Sequence, residues 1–239
     1  MGPRPESGLR HRSGVCLMRC PACEVAAARH FKRVDARDYW RCDTCEATFL
    51  DPGQRLDADA ERTYYRSHHN DPADPSYRQF LARLARPLLE RLLPAQHGLD
   101  YGCGPGPALA AMLREAGHTV ALYDPLFFND PGVLSRRYAF ITCTEVVEHF
   151  YEPAQEFRRL DSWLEPGGVL AVMTGFLADD ARFADWHYRR DPTHVVFYRE
   201  ATFHHLASRH GWRCEIPCPN VALLFKPAGS AMPTTARCR

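Results

Sequence analysis

Four cysteines near the amino terminus have the spacing of a metal site. They form two C-x2-C pairs, Cys20 with Cys23 and Cys42 with Cys45, and 18 residues separate the pairs. Four thiolates at this spacing can surround one Zn²⁺ ion tetrahedrally, because each pair wraps the metal from a tight turn. A module this short would have almost no core without the metal, and four ligands close the coordination sphere. The sequence therefore predicts a zinc ribbon whose zinc is structural.

A glycine-dense turn, LDYGCGPGPALA, joins an apolar run to a helical pattern further along the chain. Gly102, Gly104 and Gly106 allow positive φ angles and let a ligand approach without meeting a Cβ atom. The spacing departs from the G-x-G-x-x-G of dinucleotide binders, and a plain strand-to-helix turn would use the same residues. Asp124 ends the next apolar run, where nucleotide-binding folds grip a ribose diol, although it could also be a turn acid.

Strand and helix patterns alternate around this turn. The pattern predicts strands at 118–123, 138–144, 169–174, 212–216 and 221–226, and helices at 77–93, 108–116, 152–164 and 202–209. Alternation implies a parallel sheet, and the last two strands are close enough to pair as an antiparallel hairpin. Pro87 is expected to bend or split its helix. We therefore predict an α/β fold with a doubly wound, mostly parallel sheet, an antiparallel C-terminal hairpin and a small N-terminal zinc ribbon.

Composition limits the classes of function that this chain can have. It has 239 residues, 45% of them hydrophobic, and a net charge of +1, so a large polyanion-binding face is not indicated. No apolar run approaches the roughly 20 residues that span a bilayer, and the amino terminus lacks the apolar core of a signal peptide. We therefore expect a cytoplasmic protein, in which ten cysteines indicate metal ligation or buried thiols more than disulfides.

Shifts in composition suggest four segments. Residues 1–17 are rich in Pro, Gly, Ser and Arg without periodicity, which predicts a disordered leader, and Met18 could be the true start. Residues 18–52 form the predicted zinc ribbon, and residues 53–227 form the α/β domain. Residues 228–239 are expected to be a flexible tail.

Several of these motifs occur together in one known family. Asp100 to Gly106 reads D-x-G-C-G-x-G, an acid follows at Asp124, E-V-V-E-H follows a predicted strand, and L-E-P-G-G precedes another. In these motifs the chain, from about Tyr64 to Pro227, resembles the class I S-adenosylmethionine-dependent methyltransferases, which have a Rossmann-like fold. The resemblance implies S-adenosylmethionine as cofactor and these residues as its contacts: Asp100, Gly102, Gly104, Asp124 and Thr144, with Tyr64 or Tyr65 in addition.

One part of the sheet departs from that family. Between Asp124 and Tyr138 the chain is too short for the helix, third strand and helix that the family has there. We therefore expect a trimmed sheet, in which the family's adenine-side acid is missing.

Two carboxylates and an imidazole follow the strand that ends at Thr144. At helical spacing, Glu145, Glu148 and His149 would share one face and suit a divalent ion. This run is similar to metal-dependent small-RNA 2′-O-methyltransferases and, less fully, ubiquinone-pathway O-methyltransferases, which implies His194 as a further ligand. Mg²⁺, Mn²⁺ or Zn²⁺ bound to a hydroxyl would lower its pKa. Without a metal, His149, His187 or His194 could act as a general base, or the Glu–His pair could only shape the pocket.

The segment around His194, ADWHYRRDPTHVVFY, is expected on the substrate side. Trp186, Tyr188 and Tyr198 could stack on a planar substrate, and Arg189 and Arg190 could meet an anionic one. A surface loop with an aromatic anchor is the alternative.

The sequence therefore predicts a methyltransferase that moves a methyl group from S-adenosylmethionine to a small-molecule acceptor. Oxygen is the favoured nucleophile ahead of nitrogen or carbon. One alternative is an RNA methyltransferase that grips RNA with the ribbon, which the weak net charge disfavours. The other is a non-catalytic binding module that uses the ribbon for a protein partner. No membrane partner is expected.

Overall fold

The computed structural model describes residues 18–65 and 71–229. The predicted leader at 1–17 and residues 230–239 of the predicted tail lie outside the described residues. The described chain divides into two compact units. The first unit comprises residues 18–65, 145–157 and 174–206, and the second comprises 71–144, 158–173 and 207–229. These units follow compactness alone, so the predicted domain boundaries stay a prediction.

The described residues form ten strands and six α-helices. The strands are β1 (Ala28–Val34), β2 (Arg37–Cys42), β3 (Thr48–Leu50), β4 (His97–Tyr101), β5 (Thr119–Tyr123), β6 (Tyr138–Thr144), β7 (Leu164–Met173), β8 (Val196–Phe197), β9 (Arg213–Cys218) and β10 (Val221–Phe225). The helices are α1 (Ala58–Tyr65), α2 (Pro75–Leu89), α3 (Ala108–Glu115), α4 (Pro153–Trp163), α5 (His187–Arg190) and α6 (Glu200–His210). None of the helices among these residues is long and apolar enough to cross a membrane.

The second unit contains a six-stranded sheet in the order β5-β4-β6-β7-β10-β9. The first four of these strands are parallel, whereas β10 pairs antiparallel with both β7 and β9. The predicted mostly parallel α/β sheet with an antiparallel C-terminal hairpin is therefore confirmed. Between β5 and β6 the chain forms only a short 3-10 helix, Pro131–Ser135, so β5 lies at the sheet edge and the trimmed sheet is confirmed as well.

Helix α2 shows why the second unit folds as its sequence predicts. The Asp74 side chain caps the helix by accepting a hydrogen bond from the N–H of Ser76, and Pro75 occupies its first turn. Four residues at helical spacing are buried: Leu81, Leu84, Ala85 and Leu88. Each buried leucine contributes about 2 kcal/mol or more by leaving water. Pro87 does not split the helix, which continues through it to Leu89.

The first unit contains a four-stranded antiparallel sheet in the order β1-β2-β3-β8. The first three strands belong to the predicted ribbon, but β8 comes from much later in the chain. Thr48 pairs with Phe197 and Phe49 with Val196. The N–H of Leu50 extends this pairing by donating to the carbonyl of Val195 at 2.9 Å. The ribbon therefore shares its sheet with the segment that follows His194.

Candidate functional site

The four predicted zinc ligands come together in the first unit. Their Sγ atoms are buried and lie within 4.8 Å of one another. The closest pairs are Cys20 with Cys45 at 3.6 Å and Cys23 with Cys42 at 3.5 Å. A tetrahedral zinc ion with bonds of about 2.3 Å would hold its sulfur ligands about 3.8 Å apart. Four thiols at this spacing fit one zinc ion.

The two C-x2-C turns of this cluster have the same backbone geometry. The N–H of Glu24 donates to the carbonyl of Cys20 at 2.8 Å, and the N–H of Glu46 donates to the carbonyl of Cys42 at 3.0 Å. Glu24 and Glu46 both have a φ of 60°, in the left-handed region where the chain reverses direction. This repetition is typical of the paired turns of a zinc ribbon.

The glycine loop lies in the second unit, between β4 and α3. Gly102 and Gly104 have φ angles of 74° and 63°, which a residue with a Cβ atom adopts only with strain. The N–H of Gly102 donates to the carbonyl of Tyr123 at 2.8 Å, which ties the loop to the end of β5. The backbone of the loop therefore favours glycine at both positions.

Asp124 is buried immediately after β5 and organises this loop. One carboxylate oxygen accepts a hydrogen bond from the N–H of Gly104 at 3.0 Å. The other accepts from the N–H groups of Leu126 at 2.8 Å and Phe127 at 3.1 Å. Asp124 therefore has the role of a turn acid, one of the two roles considered from the sequence. The other role, contact with a ribose, stays a prediction.

Two further predicted cofactor contacts lie on β4 and β6. Asp100 is buried and accepts a hydrogen bond from the Thr142 hydroxyl at 2.7 Å. Thr144 ends β6, and its buried hydroxyl has no hydrogen-bond partner among the residues that the structure describes. An unsatisfied buried hydroxyl costs free energy, so a polar ligand atom at this strand end would relieve it. The open backbone of the two glycines and the Thr144 hydroxyl therefore suit a polar cofactor.

Burial gives Asp100 a pH-dependent effect on stability. Burial raises its pKa from 3.8 to about 6, against the hydrogen bond from Thr142 and the charge of Arg114. A carboxyl group whose pKa is higher in the folded chain contributes its full stability below the unfolded pKa and loses it as pH rises through the folded pKa. Relative to Asp100→Asn, the wild type should therefore gain about 1 kcal/mol of unfolding free energy between about pH 7.5 and about pH 5.

Denaturant unfolding of both proteins without cofactor, at a series of pH values, measures this difference. Asp130→Asn, at an exposed turn of the same unit, serves as the control. A constant gap between the wild type and Asp100→Asn across the pH range would contradict the assignment.

The first unit also brings together three of the four residues predicted to bind a catalytic metal. Ligand atoms of Glu148, His149 and His194 all lie within 4.8 Å of one another. The centroids of the two imidazole rings are 4.7 Å apart, and Glu148 Oε1 lies 3.9 Å from His194 Nε2. Glu148 is fully buried and His194 is nearly so.

Backbone carbonyl groups fix the tautomers of both histidines. His149 Nδ1 lies 3.1 Å from the carbonyl of Thr193, and His194 Nδ1 lies 2.7 Å from the carbonyl of Tyr188. Because a carbonyl oxygen only accepts hydrogen bonds, each Nδ1 carries a proton, and in the neutral form of each ring Nε2 presents a lone pair. A hydrogen bond from Nδ1 to a backbone carbonyl is typical of histidines that bind a metal through Nε2.

The carboxylate of Glu148 is oriented by two hydroxyl groups. Thr174 donates to Oε2 at 2.9 Å, and the Tyr188 hydroxyl donates to Oε1. Burial raises the pKa of Glu148, although the charge of His194 and these hydrogen bonds oppose the rise. Burial lowers the pKa of His194, which favours its neutral form. A buried carboxylate and two imidazoles are donors that transition-metal ions and Zn²⁺ accept.

Glu145 does not join this group. The expectation that it shares a helical face with Glu148 and His149 is wrong, because the helix here is a single 3-10 turn that begins at Val147. Glu145 precedes that turn with a φ of 53°, in the left-handed region. The residue spacing was compatible with a helix, but it could not show where the helix starts.

Asp191 and the tyrosines of α1 also lie at this group. Tyr65 packs edge-on against His149 at 5.3 Å between ring centres, and the Tyr64 hydroxyl donates to Asp191 at 3.2 Å. Asp191 Oδ2 lies 3.8 Å from His194 Nε2. Sequence reasoning missed Asp191 as a site residue, although its place in the DPTH run three residues before His194 was a signal. Tyr65 as a cofactor contact stays a prediction.

Most of the predicted substrate-stacking residues have other roles. Tyr188 is buried with its hydroxyl bound to Glu148, and Tyr198 is buried with its hydroxyl donating to the carbonyl of Val147 at 2.9 Å. Arg189 is also buried and pairs with Asp35 of the ribbon at 2.8 Å. These three interpretations were wrong, because the residues anchor the segment internally. Trp186 is only half-buried, and His187 and Arg190 are exposed.

A family model described as "Methyltransferase domain" matches residues 74–215. Among curated proteins, the chain is 27% identical over 155 residues to the biotin biosynthesis bifunctional protein BioCD of Bordetella avium, which covers 56% of this chain and 31% of that protein. Magnesium protoporphyrin IX methyltransferase from Synechocystis, solved with bound S-adenosylhomocysteine, has a TM-score of 0.47 at 13% identity over 70% of this chain and 94% of its own. An O-methyltransferase family protein from Burkholderia thailandensis has a TM-score of 0.46 at 16% identity over 64% of this chain and 59% of its own.

A glycine loop that follows the carboxyl end of a strand in a mostly parallel sheet is typical of cofactor-binding α/β enzymes. The family match covers more than half of the chain, including the loop, β6 and the segment that carries Glu148 and His149. The chain belongs to the class I S-adenosylmethionine-dependent methyltransferases. It spans about a third of the length of the curated relative, so the acceptor is a matter for proposal.

Proposed function

We propose that this methyltransferase modifies an oxygen nucleophile of a small-molecule acceptor, assisted by a divalent metal ion that Glu148, His149 and His194 hold. The observation that supports it best is the convergence of one ring nitrogen from each of His149 and His194 with the buried carboxylate of Glu148. A divalent ion in such a centre supplies a Lewis acid, which lowers the pKa of a hydroxyl group. Oxygen acceptors gain most from this assistance, because a hydroxyl is a poor nucleophile until it is deprotonated.

The cofactor is proposed to bind through the residues inferred from the family motif. Bound S-adenosylmethionine would supply an electrophilic sulfonium methyl carbon, which a nucleophile attacks in line while the thioether sulfur of S-adenosylhomocysteine leaves. Gly102 and Gly104 leave the backbone accessible, Asp124 offers carboxylate oxygens to the ribose, and the Thr144 hydroxyl offers an unused hydrogen bond. Asp100 supports the loop from β4 through its buried carboxyl group.

The ribbon is proposed to be a structural support rather than an RNA grip. The edge of β3 that a partner could use is paired with β8. The basic Arg29 and Arg41 of the ribbon pair with Asp43 and Asp180. A small-molecule acceptor therefore stays the favoured partner. The cytoplasmic location stays a prediction.

Cofactor binding can be measured by calorimetry with S-adenosylhomocysteine. The wild type is expected to bind, and Asp124→Ala should weaken binding by about 30-fold, the equivalent of about 2 kcal/mol for lost hydrogen bonds to a charged group. Asp130→Ala is the matched control, because Asp130 also accepts a turn N–H, that of Gly132 at 2.8 Å. A wild type that does not bind would contradict the proposed cofactor site.

The acceptor class can be determined by transfer of a labelled methyl group to cell-extract fractions separated into small molecules, RNA and protein. Label is expected in small molecules, on oxygen, as a methyl ether or a base-labile methyl ester. The transfer should stop after chelation that removes the divalent ion while metal analysis shows that the ribbon zinc is retained. Label confined to RNA would overturn the proposed acceptor. Turnover that survives chelation would instead assign the proton transfer to His149 or His194.

A further inference from the structure

Tyr188 contacts two members of the group formed by Glu148, His149 and His194, and it does so through different parts of the residue. Its hydroxyl group donates a hydrogen bond to Glu148 Oε1. Its backbone carbonyl oxygen accepts one from His194 Nδ1 at 2.7 Å, and its ring packs on the His194 imidazole with 4.2 Å between ring centroids. One residue therefore joins a carboxylate and an imidazole that lie far apart in the sequence.

The hydroxyl group of Tyr188 belongs to a buried cluster around the Glu148 carboxylate. Thr174 donates to Oε2 at 2.9 Å and Tyr188 donates to Oε1, so each carboxylate oxygen has a donor of its own. The two hydroxyl oxygens are themselves 2.9 Å apart. Because Glu148 and Thr174 are fully buried, loss of the Tyr188 hydroxyl would leave Oε1 without this donor and release one side of the carboxylate.

The position of the Tyr188 ring is set by packing. A Cβ atom at Gly175 would lie 3.0 Å from both Cδ1 and Cε1 of Tyr188 and 3.1 Å from Cζ2 of Trp186, so only a glycine gives the two rings this space. The Trp186 ring stacks on the Tyr188 ring with 5.1 Å between centroids and 29° between planes. The Tyr188 ring thus packs against Gly175, Trp186 and His194, and this packing holds its hydroxyl group at Glu148.

We propose that Tyr188 is a positioning residue of the methyl-transfer reaction, which sets the relative placement of the Glu148 carboxylate and the His194 imidazole. The inference rests on the part that these two residues have in the proposed function. Tyr188 acts through them, and it holds them in place both for metal binding and for proton transfer. Since a misplacement of about 1 Å costs about 100-fold in rate, its loss affects turnover strongly and cofactor affinity little.

Tyr188→Phe tests the inference, because it keeps the ring and the backbone carbonyl and removes only the hydroxyl group. The assay is transfer of a labelled methyl group to the small-molecule fraction of a cell extract at a series of S-adenosylmethionine concentrations. The maximal rate should fall by about 10- to 100-fold. The KM for S-adenosylmethionine and the calorimetric affinity for S-adenosylhomocysteine should each change by less than about threefold.

Tyr138→Phe is the matched control. Tyr138 is also buried, and its hydroxyl donates to the carbonyl of Val133 at 2.6 Å. Thermal unfolding should show a similar loss of stability in the two variants, since each loses one hydrogen bond, but Tyr138→Phe should keep the maximal rate of the wild type.

Gly175→Ala gives a second readout, because the added methyl group meets the rings of Tyr188 and Trp186. The maximal rate should fall by about tenfold, and the double variant with Tyr188→Phe should lose less than the product of the two single effects. Wild-type turnover in Tyr188→Phe or Gly175→Ala, an equal loss in Tyr138→Phe, or fully multiplicative effects would each overturn the inference.

The same assay distinguishes failure of this inference from failure of the proposed function. Wild-type transfer that survives chelation would contradict the metal assistance, and a slow Tyr188→Phe would then still support the positioning of a general base. A wild type that transfers no methyl group to any fraction would overturn both.

Discussion

Replacement of Cys42 by serine is expected to release the ribbon zinc and to unfold the first unit. Zinc binding at four-cysteine sites contributes about 10 kcal/mol or more to the folding of small modules, and loss of one thiolate removes much of it. We expect a loss of at least about 4 kcal/mol in unfolding free energy. Metal analysis of the purified chain and thermal unfolding measure the two effects.

Cys214→Ser is the matched control for this experiment. Cys214 is a half-buried cysteine on β9, in the second unit, and it forms no disulfide with another described residue. Its replacement should leave the zinc content unchanged and shift the melting temperature only slightly. A Cys42→Ser chain that keeps both its zinc and its stability would show that the cysteine cluster is not the zinc site.

Glu148→Gln is expected to abolish most methyl transfer without destabilising the chain. Gln has nearly the shape of Glu and can keep contacts with Thr174 and Tyr188, but it removes the negative charge that a divalent ion needs. We expect activity to fall by about 100-fold or more. Burying a charged carboxylate costs free energy on folding. The melting temperature of the Gln variant should therefore equal or exceed that of the wild type. Methyl-transfer kinetics and thermal unfolding of the same preparations provide the measurements.

Glu152→Gln removes a nearby exposed carboxylate and should retain both activity and stability. If Glu148→Gln melts far below the wild type, the carboxylate is a structural element of the first unit. If it turns over normally, Glu148 has no part in the reaction.

Local sequence patterns were sufficient for the features that depend on neighbouring residues. The two C-x2-C turns, the glycine loop and Asp124 are each defined by spacing within a few residues, so their geometry could be inferred. The α/β order followed from the alternation of strand and helix patterns. The short stretch between Asp124 and Tyr138 was sufficient to predict the missing third strand, because a chain of that length cannot form a strand and two helices.

Features that depend on distant contacts could not be predicted in the same way. Strand β8 has two residues, too few for a period, and it becomes a strand only by pairing with β3. Tyr188 and Tyr198 have the composition of a substrate-stacking surface, but their burial depends on Glu148 and Val147, which lie far away in the sequence. Asp191 was missed because its side chain meets His194 only after the segment folds.

The pairing of β3 with β8 limits where this chain can be truncated and whether its ribbon can be lost or exchanged in evolution. A chain shortened at the predicted boundary after residue 52 would lose the strand that covers Val196 and Phe197 and leave an unprotected edge prone to aggregation. It would also remove Tyr39, whose ring packs against Phe183 at 4.9 Å in the same aromatic cluster. The ribbon is thus not a modular attachment. Evolutionary loss or exchange of the ribbon would require compensating change around His194.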